Sequence, residues 1–223
     1  MTDHNTVHRT SWKHYVAMGD SLTQGYGDPV EGLENLSWAD RLAEALRPLH
    51  PDFRYDKLAK RGVTSQQIVE TQLPLALAAE PDLVSVLAGG NDLMQPEWDI
   101  HQTEANLRRL VEPFADAGAT VMVFTMHDNY LLLPEAIASR QHHIYEGVRA
   151  INRVVRQLSH EYGLLRVELE HAQELHDPSC WSRDMIHANM RGHVILAAET
   201  AYRLGRYAGI TIESPALMLP EHA

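Results

Sequence analysis

The stretch YVAMGDSLTQGYG, residues 15–27, decides how this chain is read. An apolar run meets Gly19 and passes at once into Asp20, Ser21 and Thr23, a loop bounded by further glycines. A short run holding Tyr and Val that stops at a glycine reads as a buried parallel strand, here residues 14–18. Ser21 then stands just past the carboxyl end of that strand, the edge where ligands bind in open α/β sheets. Whether it is a turn residue or a reactive hydroxyl depends on what other segments bring beside it.

Working outward, strands are expected at 53–59 (FRYDKLA), 83–88 (LVSVLA), 119–126 (ATVMVFTM) and 164–169. Helices are expected from an N-cap at Ser37 through Arg47, then over 65–72, 103–117, 134–162 and 190–204. Gly118, Gly163 and Gly205 read as their stops. Strands alternating with helices imply one parallel sheet covered on both faces, a three-layer α/β/α sandwich with five strands. No repeat or composition break divides the 223 residues, so one domain is expected, with irregular termini over 1–12 and 206–223.

Composition narrows the function. A net charge of −11 argues against a nucleic-acid partner, which would need a basic face. No run approaches the ~20 apolar residues of a membrane span, and the first residues lack a signal-peptide core. The single cysteine, Cys180, allows no internal disulfide and fits a reducing compartment, so a cytoplasmic location is expected. The oligomeric state is not legible.

Chemistry concentrates in three loops that follow strands: Gly19-Asp20-Ser21, Gly62, and Gly89 to Asp92. A serine needs a histidine within hydrogen-bond reach, and that histidine needs an acid to fix its tautomer. With fourteen histidines in the chain, nearness in sequence selects none of them. The segment CWSRDMIHANMRGH, 180–193, offers Asp184 and His187 three apart, a spacing that puts both on one face of a helical turn. The backbone N–H groups of Ser21 and Gly62 and the side-chain amide of Asn91 can serve as donors to a tetrahedral oxyanion.

Together GDSLTQG (19–25), the Gly62 loop, GGND (89–92) and DMIH (184–187) resemble, in order, the blocks of the SGNH, or GDSL-type, hydrolase family. The stretch GYGDP…SWADRLAEAL and the closing W-x-x-D-x-x-H are similar to small bacterial members. The resemblance implies a flavodoxin-like fold with Ser21 as nucleophile, His187 as base and Asp184 as its orienting acid. It further implies an oxyanion hole of Ser21, Gly62 and Asn91, with no metal or cofactor. Ala188-Asn189 depart from the Leu-Ser or similar pair that often follows the histidine in that subgroup.

The expected activity is hydrolysis of a small-molecule ester through an acyl-enzyme. Acyl transfer by the same residues, or a non-catalytic binding module on the same fold, stays open. GDSLT is not the Gly-x-Ser-x-Gly elbow of α/β-hydrolases, and no phosphate-reaching lysine marks it as a nucleotide loop. Asp20 and Asp92 read as braces of their own loops, and His193 reads as structural. His142 and His143 lack a matched carboxylate or cysteine set for a metal. His127, Leu131, Leu132 and Trp181 are candidates for a substrate pocket. The leucine-rich segment 129–139 is either a lid or the start of a buried helix face.

Overall fold

Alternation along the first strand sets the layers. In β1 (His14–Gly19), Tyr15 and Ala17 join one apolar cluster and Val16 and Met18 another, all fully buried. The same period of two runs through β3 and β4: Leu83, Leu87, Met122 and Phe124 face one way, Val84, Val86, Val121 and Val123 the other. A sheet apolar on both faces must be covered on both.

The structure is a computed structural model that describes residues 11–127 and 142–220. β1, β2 (Arg54–Lys57), β3 (Leu83–Leu87), β4 (Thr120–Phe124) and β5 (Leu165–Val167) form one parallel sheet in the order β2-β1-β3-β4-β5. This is the flavodoxin-like order, and its switch point lies between β1 and β3. α1 (Ser21–Gln24) is a single turn after β1. α2 (Trp38–Leu46) and α7 (Met190–Ala208) cover one face. α3 (Ser65–Thr71), α4 (Leu73–Ala78), α5 (Ile100–Asp116) and α6 (His142–Glu161) cover the other. None of the described helices is long and apolar enough to cross a membrane.

Several expected boundaries shift, each for a local reason. β2 and β5 are shorter than the apolar runs that suggested them, since each is an edge strand paired on one side only. α4 was not expected, and its Pro74 is compatible with it. That proline falls in the helix's first turn, where a missing N–H costs nothing. α5 starts three residues earlier than its periodicity suggests, at an Asp99 cap that accepts from His101 N–H. α7 does not end at Gly205, which is buried in the helix against the carbonyl of Ile210. It runs to Ala208 and leaves through Gly209 at φ 69°. Only part of the expected 206–223 tail is therefore irregular. At the other end, Trp12 is 1% exposed and donates its indole N–H to Thr120 Oγ1 at 3.1 Å. The described part of the expected 134–162 helix is α6. The Ser37 cap is as expected, completed by Asp40 into a reciprocal capping box.

Candidate active site

The strand end that carries Ser21 is clamped. Gln72, buried at the C-terminal end of α3, accepts from Gly19 N–H at 2.9 Å and donates to Gly19 O at 2.8 Å. Asp20 caps α1, its Oδ1 accepting from Leu22 N–H at 3.1 Å. Ser21 is thus the first helical residue, 6% exposed.

Asp184 and His187 meet, but not on a helix. Trp181 and Ala188 pair as an antiparallel bridge and close a turn between them, with Ser182 N–H donating to His187 O at 2.8 Å. Within it Met185 takes φ 55°, a left-handed conformation that no helix continues. Asp184 Oδ1 accepts from the N–H groups of Ile186 and His187 at 2.9 and 3.0 Å, in the manner of an Asx turn. Its Oδ2 lies 2.7 Å from His187 Nδ1, and His187 Nε2 lies 3.0 Å from Ser21 Oγ. With the carboxylate as acceptor, Nδ1 carries the proton and Nε2 is free to accept from the serine. Partial burial works against the Asp184 charge, but the bonds from His187 and Ile186 hold its pKa below the usual carboxylate value.

This turn is docked on the segment that leaves α1. Asp28 N–H donates to Ser182 Oγ at 2.8 Å, while Arg183 N–H and Met190 N–H donate to the Asp28 carboxylate and carbonyl at 2.9 and 3.2 Å. A Cβ on Gly27 would sit 2.1 Å from Ala188 O, so the two segments approach closer than any side chain allows. The Ala188-Asn189 departure has a structural use. Asn189 caps α7 through Oδ1 and donates from Nδ2 to the carbonyls of Ser179 and Trp181, at 2.7 and 3.1 Å.

The other loops converge on the same edge. Gly62 takes φ 78°, with nothing within 4 Å of where a Cβ would stand. Among the described residues, no hydrogen bond occupies the N–H of Ser21 or Gly62. Asn91 follows β3 and donates from Nδ2 to Val63 O at 3.1 Å and to Asp20 Oδ2 at 3.2 Å. Asp20 therefore does more than hold its own turn: it also orients Asn91. Burial raises its pKa to about 6, against the Leu22 N–H bond and the nearby His187 and with help from Asp92. Asp92 ties the loop down, accepting from Ser65 N–H at 2.8 Å, from the Ser65 hydroxyl and from Thr103 Oγ1.

The outer candidates divide. His127 is 9% exposed, bonds Leu169 O through Nδ1 at 3.0 Å and stacks on Trp181 with ring centres 5.3 Å apart. Burial lowers its pKa, with His176 and His171 adding to the effect. Trp181 belongs to the core and donates to Leu175 O at 2.8 Å. Trp181 also lines a cavity of about 470 Å³ with Asp28, Pro29, Ser182, Arg183, Met185 and Asn189, which Ser21 and His187 do not line. Leu131, Leu132 and the 129–139 segment lie outside the described residues. Cys180 is 1% exposed, and burial raises its thiol pKa, the opposite of a nucleophile's environment.

Two further contacts escaped the sequence reading. The Tyr26 ring meets His187 edge-on at 4.7 Å, and the Arg61 guanidinium lies 3.6 Å over the Tyr26 ring. Both residues flank motifs already singled out, Tyr26 after GDSLTQG and Arg61 before Gly62, but only the fold puts them in contact.

Residues 17–195 match the GDSL-like Lipase/Acylhydrolase family. The chain belongs to that family. The SGNH resemblance is thereby confirmed, and membership supports hydrolysis of esters. No curated protein matches the chain. Solved structures with the same fold include LAE5, an α/β hydrolase enzyme from the metagenome of Lake Arreo, at 20% identity and a TM-score of 0.71 over 89% of this chain and 98% of that one. The acetylxylan esterase Axe2 from Geobacillus stearothermophilus is 21% identical, with a TM-score of 0.69 over 87% and 95% of the two chains. TesA is 21% identical, with a TM-score of 0.67 over 87% and 99%. At this identity the likeness carries the three-layer fold, and the family match carries the chemistry.

Proposed function

We propose that the protein is a serine hydrolase that cleaves a carboxylic ester of a small molecule through an acyl-enzyme. Ser21 Oγ attacks the ester carbonyl while His187 Nε2 takes its proton. The carbonyl oxygen, now an anion, accepts from Ser21 N–H, Gly62 N–H and the Asn91 amide, which turns one N–H from Asp20 toward it. The C–O bond then breaks and the imidazolium returns the proton to the leaving alcohol. Water, deprotonated by the same imidazole, attacks the acyl-enzyme carbonyl; the acyl C–Oγ bond then breaks, the imidazolium returns its proton to Ser21 Oγ, and the carboxylic acid is released. Asp184 keeps the imidazole oriented and stabilises its charge throughout. None of these steps draws on a metal or cofactor.

The observation that carries this reading is the continuous path from Asp184 Oδ2 through His187 to Ser21 Oγ, with contacts of 2.7 and 3.0 Å, at the switch point of the sheet. Each oxyanion donor of this kind contributes on the order of 3 kcal/mol to barrier lowering. Ser21→Ala is expected to abolish turnover of short-chain aryl esters and labelling by a fluorophosphonate, with a melting temperature within a degree or two of wild type. Mass spectrometry of the labelled wild type should place the adduct on Ser21. Turnover surviving in the variant, or an adduct elsewhere, refutes the assignment.

A further inference from the structure

Arg61 is exposed, stacked over Tyr26, and makes no ion pair with a carboxylate among the described residues. Its backbone is fixed, since Arg61 N–H donates to Gln24 Oε1 at 2.8 Å at the end of the turn that begins with Ser21. Its neighbour Lys57, by contrast, is neutralised by Asp40 at 2.6 Å. The guanidinium face is occupied by the Tyr26 ring, which itself meets His187, and no side-chain hydrogen bond engages the guanidinium N–H edge among the described residues. A stacked guanidinium loses little further freedom when its edge receives an anion, and that fork suits a planar oxyanion.

The placement says which half of the substrate meets it. Tyr26 touches His187, the group that hands its proton to the leaving alcohol, so Tyr26 and Arg61 flank the alcohol side. In a chain of net charge −11 the general field repels anions, and a local cation at the site mouth reverses that only for ligands seated beside it. Resting on the hydrolase reading, we propose that Arg61 is a specificity-determining residue that receives an anionic group carried on the alcohol half of the ester. Arg61 takes no part in bond making or breaking; it shows in KM and in the choice among substrates.

Three esters test this: 4-acetoxybenzoate, its neutral amide 4-acetoxybenzamide, and 4-nitrophenyl hemiglutarate, whose charge is on the acyl half. For wild type, Arg61→Gln and Arg61→Lys, kcat and KM are measured at low and physiological ionic strength. The ratio of kcat/KM for the benzoate to that for the benzamide should fall about tenfold in the Gln variant through KM, the scale of one charge-assisted contact. It should recover partly in the Lys variant and weaken with salt in wild type. The hemiglutarate should show a much smaller change. An unchanged ratio overturns the proposal, and so does an equal loss on all three esters, which means that Arg61 only braces Tyr26 and Gly62. A larger loss on the hemiglutarate overturns the assignment to the alcohol half. Binding of 4-acetoxybenzoate to Ser21→Ala and to Ser21→Ala/Arg61→Gln, followed by calorimetry, separates the two readings. If wild type cleaves no ester yet the second substitution weakens binding about tenfold, the hydrolase reading fails and the anion site stands. Equal binding to both variants removes the anion site.

Discussion

Asp20 shows how one buried carboxylate serves several neighbours. It caps α1 through Leu22 and holds Asn91, yet it is 6% exposed, and burial raises its pKa to about 6. In the unfolded chain the group ionises near 3.8. Below that value both states are protonated and its titration takes nothing from stability. As pH rises through the folded value, the unfolded state ionises more readily and stability is lost. His193 acts in the opposite sense. Burial lowers its pKa to about 4, so its contribution is present above the ordinary histidine value and is lost as pH falls. The two overlap in a raw stability curve, and a difference isolates Asp20. The gain of Asp20→Asn over wild type in unfolding free energy should grow by roughly 2 kcal/mol between pH 4 and pH 7. Urea unfolding at a series of pH values measures it; a gap that stays constant contradicts the burial argument.

At the scale of elements, the site depends on one docking more than on any helix. The turn bearing Asp184 and His187 reaches Ser21 because Gly27 lies against Ala188 O and Asp28 bonds Ser182 and Arg183 in the turn and Met190 just after it. Gly27→Ala should displace that turn while leaving the sheet intact. We expect kcat to fall at least tenfold, with unchanged far-ultraviolet circular dichroism and a stability loss of about 1–3 kcal/mol from the forced shift. Full activity would mean that the close approach is not needed. The sequence pattern read this region correctly in partners and wrongly in form. A spacing of three suggested a helical face, whereas an Asx turn around Met185 brings the pair together, and short turns leave no periodic signal.

For the whole molecule, the two cores on either side of the sheet carry stability, and the switch point is where the proposed chemistry sits. Leu110 of α5 is fully buried in the core on the side of the sheet away from α2 and α7. Leu110→Ala should cost about 3 kcal/mol and lower the melting temperature by about 6–12 °C. Its kcat at 25 °C should stay within twofold of wild type. An equal loss of activity and stability would show that the cores and the site are not separable.

The sequence by itself determined the class of fold and the four segments that meet, because buried parallel strands leave apolar runs and three of the four chemical blocks directly follow a strand. It named Ser21, Gly62, Asn91, Asp184 and His187. Only the tertiary structure decided how they touch: that Asn91 also answers to Asp20, that Gln72 clamps Gly19, and that Tyr26 stands beside His187 with Arg61 over its ring. Those contacts join residues tens of positions apart through side chains that no local pattern marks. Distance in space is set by how the layers pack, and a one-dimensional pattern records only what each layer faces.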